Sequence, residues 1–201
     1  MTVRGAILAG GHATRYGGRP KGLERVGGER ILDRVVESMT RVLGAAPILI
    51  ANDPAAGTWR RGLRVAPDVR PDCGTLGGIL TAVTAGEGPV LLTAWDMPFV
   101  PEALLEALVA GSAEHDVFLP ASGSRRGVEP LCGVYGPACR EPIDAALATE
   151  DYRAIAFHES VRVGTLPIET VRGFGDPETL FFNVNSEADL AEAETRWQTL
   201  V

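Results

Sequence analysis

The sequence contains few cysteines and no pattern that pairs them. Cys73, Cys132 and Cys139 include no CxxC spacing, and their odd number argues against a disulfide framework. We therefore expect buried, unreactive thiols. The alternative is that Cys73, which lies in a glycine-rich segment, forms part of a site wall.

Basic residues are also scarce: nineteen stand against twenty-six acidic ones, and the formal net charge is −7. The average field of such a surface repels a long polyanion, which makes nucleic acid a poor candidate partner. No apolar run approaches the length of a membrane span, and no basic region with a long apolar core begins the sequence. These absences predict a soluble, cytoplasmic protein that binds neither nucleic acid nor membrane.

Neither a low-complexity stretch nor a fixed-period repeat is visible in the 201 residues. Apolar residues make up 45% and charged residues 22%, which is typical of a globular chain. The length suits one domain whose core covers both faces of a sheet. We expect a single domain over residues 1–201.

Short aliphatic runs alternate with segments of helical period. This order is typical of parallel strands joined by crossover helices, and it predicts an α/β fold with three α/β/α layers around an open, mainly parallel sheet. The predicted strands are residues 3–8, 47–51, 63–66, 90–94, 117–120, 131–135 and 161–167.

Two apolar stripes at helical spacing predict packing helices. The stripes are Ile31, Val35, Val36, Met39, Val42 and Leu43, and then Leu104, Leu105, Leu108 and Val109. Pro101 suits the first turn of the second helix, and Gly111 suits a left-handed C-cap at its end. Ser186, with Asp189 three residues later, resembles a capping arrangement that opens a helix towards Leu200.

A glycine-rich, cationic loop follows the first predicted strand. Residues 9–21 contain four glycines and the three cations Arg15, Arg19 and Lys21. Glycines let backbone N–H groups approach phosphate oxygens and the cations neutralise phosphate charge, so this composition suits a triphosphate. The spacing fits neither the Walker loop nor the dinucleotide fingerprint. The alternative is a surface turn with solvated charges.

A carboxylate comes directly after the predicted strand 90–94. Because the carboxyl ends of strands face the ligand crevice in an open α/β sheet, Asp96 should lie beside Gly10, Gly11 and Lys21. Mg²⁺ commonly takes only one or two protein carboxylates and completes its shell with water and phosphates, so one aspartate is sufficient. The alternative role for Asp96 is to start a turn before Pro98.

These motifs resemble the signature of the molybdenum cofactor guanylyltransferases, the molybdopterin-guanine dinucleotide biosynthesis protein A family of the GT-A-like nucleotidyltransferases. The matching residues are Leu8-Ala9-Gly10-Gly11, Arg15-x-Gly17, Lys21 and the Asp-x-Pro that begins at Asp96. Tyr16 stands where the family usually has methionine. The resemblance implies a Rossmann-like nucleotidyltransferase fold in which Leu8, Ala9, the glycine pair and Lys21 bind the nucleotide. It also implies that Asp96 binds the metal and the α-phosphate.

Three further positions match nucleotide-binding segments of the family. Asn52 and Asp68 follow the predicted strands 47–51 and 63–66, where their side chains can read a base or a ribose. The alternative for both is turn chemistry at a strand end. Gly77 belongs to Gly74-Thr75-Leu76-Gly77-Gly78, which resembles the base-pocket segment of the family with Thr75 in place of proline and leads into a helical run at Ile79.

Two later segments resemble the acceptor side of the family. Arg125 and Arg126 begin a segment beside the acceptor, and an exposed basic loop is the alternative. Asn183 and Asn185 share a face by period two, so both amides can reach a metal-bound phosphate or the acceptor, with strand-to-helix capping as the alternative. The resemblance divides the domain into a nucleotide-binding part, about residues 1–100, and an acceptor-binding part, about residues 101–190.

The activity that the resemblance implies is Mg²⁺-dependent transfer of GMP from GTP to molybdenum-molybdopterin, with release of pyrophosphate. Lys21, Arg15 and Asp96 would be the catalytic residues, and other cofactor-biosynthesis proteins and apoenzymes would be transient partners. Three alternatives stay open: cytidylyl transfer to molybdopterin or a sugar phosphate, an NAD-dependent oxidoreductase whose fingerprint is missing, and a silent nucleotide-binding regulator.

Overall fold

The structure is a computed structural model that describes residues 2–10 and 20–200. The predicted contacts of Gly11 and Arg15 therefore lie outside the described residues. The described chain forms a seven-stranded sheet with helices on both faces, and a two-stranded hairpin beside it. In these ranges no helix is both long enough and apolar enough to cross a lipid bilayer.

The strands of the large sheet are β1 (Arg4–Leu8), β4 (Ile48–Ile50), β5 (Val65–Ala66), β6 (Val90–Ala94), β7 (Val117–Pro120), β8 (Cys132–Tyr135) and β9 (Val163–Leu166). The hairpin consists of β2 (Arg25–Val26) and β3 (Glu29–Arg30). The helices are α1 (Ile31–Leu43), α2 (Ala56–Trp59), α3 (Gly74–Thr84), α4 (Glu102–Gly111), α5 (Arg140–Ala148), α6 (Ile168–Arg172), α7 (Pro177–Leu180) and α8 (Glu187–Leu200). A 3₁₀ turn, Lys21–Leu23, precedes β2.

The strand order is β5-β4-β1-β6-β8-β7-β9, and β8 alone among these strands runs against its neighbours. The mainly parallel α/β sheet is therefore confirmed, and each strand of the large sheet lies within two residues of its predicted bounds. In the parallel ladder between β1 and β6, Leu8 pairs with Ala94. The carboxyl ends of these two strands thus meet at one edge of the sheet.

The core consists of two apolar layers, one on each face of the sheet. Along β1, Ile7 packs in the layer of α1 and α4, whereas Ala6 packs in the layer of α3 and α5. This alternation follows from the period of two along a strand. Cys132 and Cys139 are buried, as expected, and Cys73 is half-buried; all three are free thiols. Burial raises the pKa of Cys139 to about 12.

The prediction of a left-handed C-cap at Gly111 is wrong. Its φ is −79°, because the chain continues from α4 into the 3₁₀ turn Ser112–Glu114. Glycine fits there for a packing reason: a Cβ would lie 2.5 Å from Cε1 of Phe118. A left-handed C-cap occurs instead at Gly44, where φ is 69° at the end of α1.

Helix α3 begins at Gly74, earlier than the helical run predicted at Ile79. Gly74 has a φ of 57°, which lets the chain turn into the helix directly. The capping arrangement before α8 is present: Asp189 N–H donates to Ser186 Oγ at 3.1 Å. The Asp189 carboxylate in turn accepts from Asn185 N–H at 2.9 Å.

Candidate functional site

The candidate site lies where β1 and β6 end. Trp95 N–H donates to the carbonyl of Leu8 at 3.1 Å, and Ala9 N–H donates to the carbonyl of Ile50 at 2.8 Å. These bonds extend the two parallel ladders by one residue beyond the strands. They place the Leu8–Ala9 backbone next to the segment that carries Asp96. Apart from its chain neighbours, no atom of residues 2–10 and 20–200 lies within 4 Å of a Cβ built on Gly10.

Three side chains from distant parts of the chain meet at this edge. Lys21 Nζ lies 2.5 Å from Asp96 Oδ2, and it donates to Asn185 Oδ1 at 2.7 Å. The side chain of Asp96 is 6% exposed and that of Lys21 is 16% exposed. The ammonium group therefore lies between two oxygen atoms in a nearly closed environment.

The electrostatics of Asp96 favour a positively charged partner at this edge. Burial raises the pKa of the Asp96 carboxyl, while the charge and the hydrogen bond of Lys21 act in the opposite direction. The backbone carbonyl of Asp96 accepts from Val184 N–H at 3.0 Å, which ties the segment before Asn185 to the same place. A buried carboxylate stays ionised only with a positive partner close by.

Asn52 and Asp68 form a reciprocal pair at the ends of β4 and β5. Asn52 Nδ2 donates to Asp68 Oδ2 at 2.7 Å, and Asp68 N–H donates to Asn52 Oδ1 at 2.8 Å. Thr81 on α3 donates to Asp68 Oδ1 at 3.3 Å. Both residues thus have partly fixed side chains at the sheet edge, on the far side of β1 from Asp96.

Gly77 and Gly78 of α3 serve close packing. A Cβ on Gly77 would lie 2.8 Å from the Cβ of Cys73, so this residue faces the turn before the helix. Gly78 faces the sheet: a Cβ there would lie 3.2 Å from Leu8 and 3.8 Å from Asp68 Oδ1. Gly78 is thus directed at Asp68, and the predicted contact of Gly77 with the nucleotide stays a prediction.

The four residues predicted to bind the acceptor do not lie together. Asn185 contacts Lys21, whereas Asn183 Nδ2 donates to the carbonyl of Phe181 at 2.9 Å. Asn183 lines a cleft of about 410 Å³ beside α7 and α8. Arg125 and Arg126 are exposed on the loop after β7 and do not line that cleft.

Glu129 is a residue to which the sequence assigned no role. It lines the same cleft as Asn183, and burial raises the pKa of its carboxyl. The Leu131 N–H and the charge of Arg126 oppose that rise, whereas the charge of Asp96 adds to it. The sequence signal that could have indicated this residue is a glutamate directly before a proline that leads into a predicted strand. Among the described residues no group of three His, Cys, Asp or Glu side chains is placed to hold a metal ion.

The comparison with known proteins confirms the family. The MobA-like NTP transferase domain matches residues 5–163. A probable molybdenum cofactor guanylyltransferase of Pelotomaculum thermopropionicum is 35% identical over 194 residues, which are 96% of this chain and 92% of that protein. The molybdenum cofactor guanylyltransferase of Desulfosudis oleivorans is 31% identical over 195 residues, which are 96% and 94% of the two chains.

A solved structure shows the same fold. The molybdopterin-guanine dinucleotide biosynthesis protein A of Archaeoglobus fulgidus superposes with a TM-score of 0.81 at 24% identity, covering 98% of this chain and 100% of that one. The sheet edge described above belongs to a fold that nucleotidyltransferases share. With a domain match over most of its length and relatives above 30% identity, the chain belongs to the MobA-like NTP transferase family of nucleotidyltransferases.

Proposed function

We propose that the protein transfers GMP from GTP to molybdenum-molybdopterin and releases pyrophosphate. The observation that carries this proposal is the position of Lys21 Nζ between Asp96 Oδ2 and Asn185 Oδ1. It gathers a phosphate-neutralising cation, a buried carboxylate and an amide at one sheet edge. Similarity to molybdenum cofactor guanylyltransferases over nearly the whole chain supports GTP and a molybdopterin as the substrates.

Nucleotidyltransferases of this family generally use a divalent metal, and we propose Mg²⁺. The donor set fits, because Mg²⁺ prefers oxygen ligands and needs only one or two protein carboxylates. Asp96 would hold the ion, and the amide oxygen of Asn185 faces the same cation position that Lys21 fills. When bound, Mg²⁺ supplies charge neutralisation at the α-phosphate.

In the proposed reaction, an oxygen of the acceptor's terminal phosphate attacks the α-phosphorus of GTP in line. A new oxygen–phosphorus bond forms as the bond from the α-phosphorus to the bridging oxygen breaks, and pyrophosphate leaves with the electron pair. A phosphate is already a nucleophile, so no protein nucleophile or general base is needed. Lys21 and Arg15 neutralise phosphate charge, and the protein contributes positioning.

The nucleotide is proposed to lie across the ends of β1, β4 and β5. Leu8, Ala9, Gly10, Gly11 and Lys21 would hold the triphosphate. Asn52, Asp68 and the Gly77 segment would contact the base or the ribose. The reciprocal bonds between Asn52 and Asp68 fix two side chains that retain acceptor capacity for N–H and hydroxyl groups of a nucleoside.

The acceptor is proposed to lie on the other side of Asp96, towards β8 and α8. Asn183 and Asn185 would bind it, and Arg125 and Arg126 would attract its phosphate. The exposure of both arginines suits capture from solvent. Contacts with apoenzymes and with other cofactor-biosynthesis proteins stay a prediction.

One reaction tests the whole proposal. The purified protein is mixed with GTP, Mg²⁺ and molybdenum-molybdopterin, and the products are measured by mass spectrometry together with released pyrophosphate. We expect the guanine dinucleotide form of the cofactor and one pyrophosphate for each turnover. Replacement of GTP by CTP in the same mixture tests the cytidylyltransferase alternative, which product formation with CTP alone would establish.

A further inference from the structure

The cleft beside α7 and α8 contains a half-buried acidic group that the proposed transfer step does not use. Glu129 forms part of its wall, together with Ser122, Ser124, Phe181, Phe182 and Asn183. Its volume of about 410 Å³ is within the range of about 300–1,000 Å³ that small-molecule sites occupy. The wall combines two phenylalanine side chains with hydroxyl, amide, carboxylate and guanidinium groups, a mixture of aromatic and polar side chains that small-molecule sites share.

The reversed direction of β8 brings Glu129 close to Asp96. In the antiparallel ladder Thr93 pairs with Cys132, and Ala94 N–H donates to the carbonyl of Leu131 at 3.0 Å. Cys132 N–H in turn donates to the carbonyl of Glu129 at 3.3 Å, so Glu129 lies in the turn that leads into β8 at this edge. The charge of Asp96 acts on the Glu129 carboxyl, in agreement with this proximity. The cleft therefore opens next to the proposed position of the α-phosphate.

The hydrogen bonds of Glu129 leave much of its acceptor capacity unused. Leu131 N–H donates to Oε1 at 2.9 Å. Within residues 2–10 and 20–200, no donor bonds to Oε2. A carboxylate accepts hydrogen bonds at both oxygens, so Glu129 presents a strong acceptor to whatever enters the cleft. A ligand with paired N–H donors on a flat ring satisfies this arrangement.

We propose that Glu129 recognises the 2-amino-4-oxo-pyrimidine edge of the pterin ring of the acceptor. This inference rests on the proposed function, in which the acceptor is a pterin. That edge presents the 2-amino group and the adjacent ring N–H, two parallel donors that match the two oxygens of a carboxylate. Phe181 and Phe182 line the cleft, and the guanidinium of Arg196 lies over the Phe182 ring, 4.4 Å from its centroid. The ring would occupy the cleft while its phosphate arm extends towards Asp96.

A binding titration with two small pteridines tests the inference. Pterin carries the 2-amino group, whereas lumazine carries a carbonyl oxygen there, which a carboxylate repels. The intrinsic fluorescence of each compound reports its binding to the wild-type protein without turnover. We expect the wild type to bind pterin more tightly than lumazine by about tenfold, the effect of one charge-assisted hydrogen bond.

The variant Glu129→Gln removes the charge of this side chain and keeps its size. Its amide oxygen can still accept from Leu131 N–H, so the turn before β8 keeps its bond. We expect a Kd for pterin that is about tenfold higher and no preference for pterin over lumazine. The control Glu178→Gln makes the same charge change at an exposed position of the same cleft, and it should bind pterin as the wild type does.

Three results would overturn the inference. They are no saturable pterin binding by the wild type, equal binding of pterin and lumazine, and an unchanged Kd for pterin in Glu129→Gln. A failed transfer assay with GTP leaves this titration readable, because no turnover is required.

Discussion

The backbone of Gly22 lies directly against the indole ring of Trp95. A Cβ at Gly22 would lie 2.6 Å from Cδ2 of Trp95, so no side chain fits between them. Trp95 is held on its other side by Trp59, with ring centroids 4.9 Å apart. Lys21 precedes Gly22 and Asp96 follows Trp95, so this contact sets the position of the ion pair.

We predict that Gly22→Ala displaces Lys21 from Asp96. The added methyl group would push the 3₁₀ turn away from the indole ring, and overpacking of this kind costs about 1–3 kcal/mol of stability. We expect a lower free energy of unfolding in urea and at least about a tenfold loss of transfer rate, which is the effect of about 1.4 kcal/mol on the barrier.

A matched control for this change is Gly57→Ala. Gly57 lies in α2, and outside the backbone of that helix and the chain neighbours no described atom lies within 4 Å of a Cβ built there. Alanine is a better helix former than glycine, so stability should be unchanged or slightly higher, with full activity. Equal effects of the two substitutions would contradict the packing role of Gly22.

We predict that Asp96→Asn abolishes transfer without lowering stability. Loss of the charge that is proposed to hold the metal would remove several kcal/mol of transition-state stabilisation, which corresponds to about a 10³-fold loss of rate. The folded protein no longer has to bury an ionised carboxylate, so the melting temperature should be equal or higher. Pyrophosphate release and thermal unfolding measure the two effects.

Asp33→Asn is the contrasting control for that variant. Burial raises the pKa of Asp33, but hydrogen bonds from Arg30 and Arg60 outweigh the burial, and the net shift is downward. Arg60 NH1 donates to Asp33 Oδ1 at 2.7 Å. This variant should lose about 1 kcal/mol of stability and keep its activity. A stable, active Asp96→Asn protein would refute the assignment of the site.

We predict that Asn52→Ala weakens GTP binding by about tenfold, because Asp68 loses the amide that fixes its carboxylate. Both residues lie at a sheet edge outside the core, so stability should change little. Isothermal titration with GTP measures the effect. Asp53→Asn is the control, since the amide oxygen can still accept from Ala55 N–H. An unaltered affinity in Asn52→Ala would place the base elsewhere.

We predict that Glu129 makes the stability of the protein depend on pH. Its pKa is raised in the folded state, so the wild type loses stability as pH rises from the ordinary glutamate value of 4.5 through that raised pKa. The variant Glu129→Gln lacks this titration. We therefore expect the difference in unfolding free energy, variant minus wild type, to increase between pH 4.5 and pH 7 in urea titrations. A constant or falling difference would show that folding does not raise the pKa of Glu129.

The structure could be predicted most accurately from the sequence where a local hydrophobic pattern ends at a residue with chemical function. The apolar run of β6 stops immediately before Trp95, and the bounds of this strand match the prediction at both ends. Because parallel strands deliver their following residues to one edge, the placement of Asp96 beside the end of β1 could be predicted without coordinates.

The remainder depends on tertiary contacts that a local pattern does not contain. Gly111 suits a C-cap in the sequence, but Phe118 explains the glycine. The hairpin of β2 and β3 turns at Gly27 and Gly28, and its two-residue strands are too short to show a period. Glu129 acquires its place only through the register of β8 with β6, which no neighbouring residue specifies.

The reversed direction of β8 distinguishes the two sides of this sheet edge. The chain leaves the sheet at this edge after β1, β4 and β6, on the side proposed for the nucleotide, whereas the segment with Glu129 enters the sheet here and leads into β8. The loop between Ala121 and Val128 is joined by an isolated bridge, and β8 then pairs with β6 from Cys132 onwards. Insertions in that loop would reshape the cleft while the Thr93–Cys132 pairing keeps Asp96 fixed. Selectivity for one ring system over another can therefore change without disturbing the phosphate chemistry.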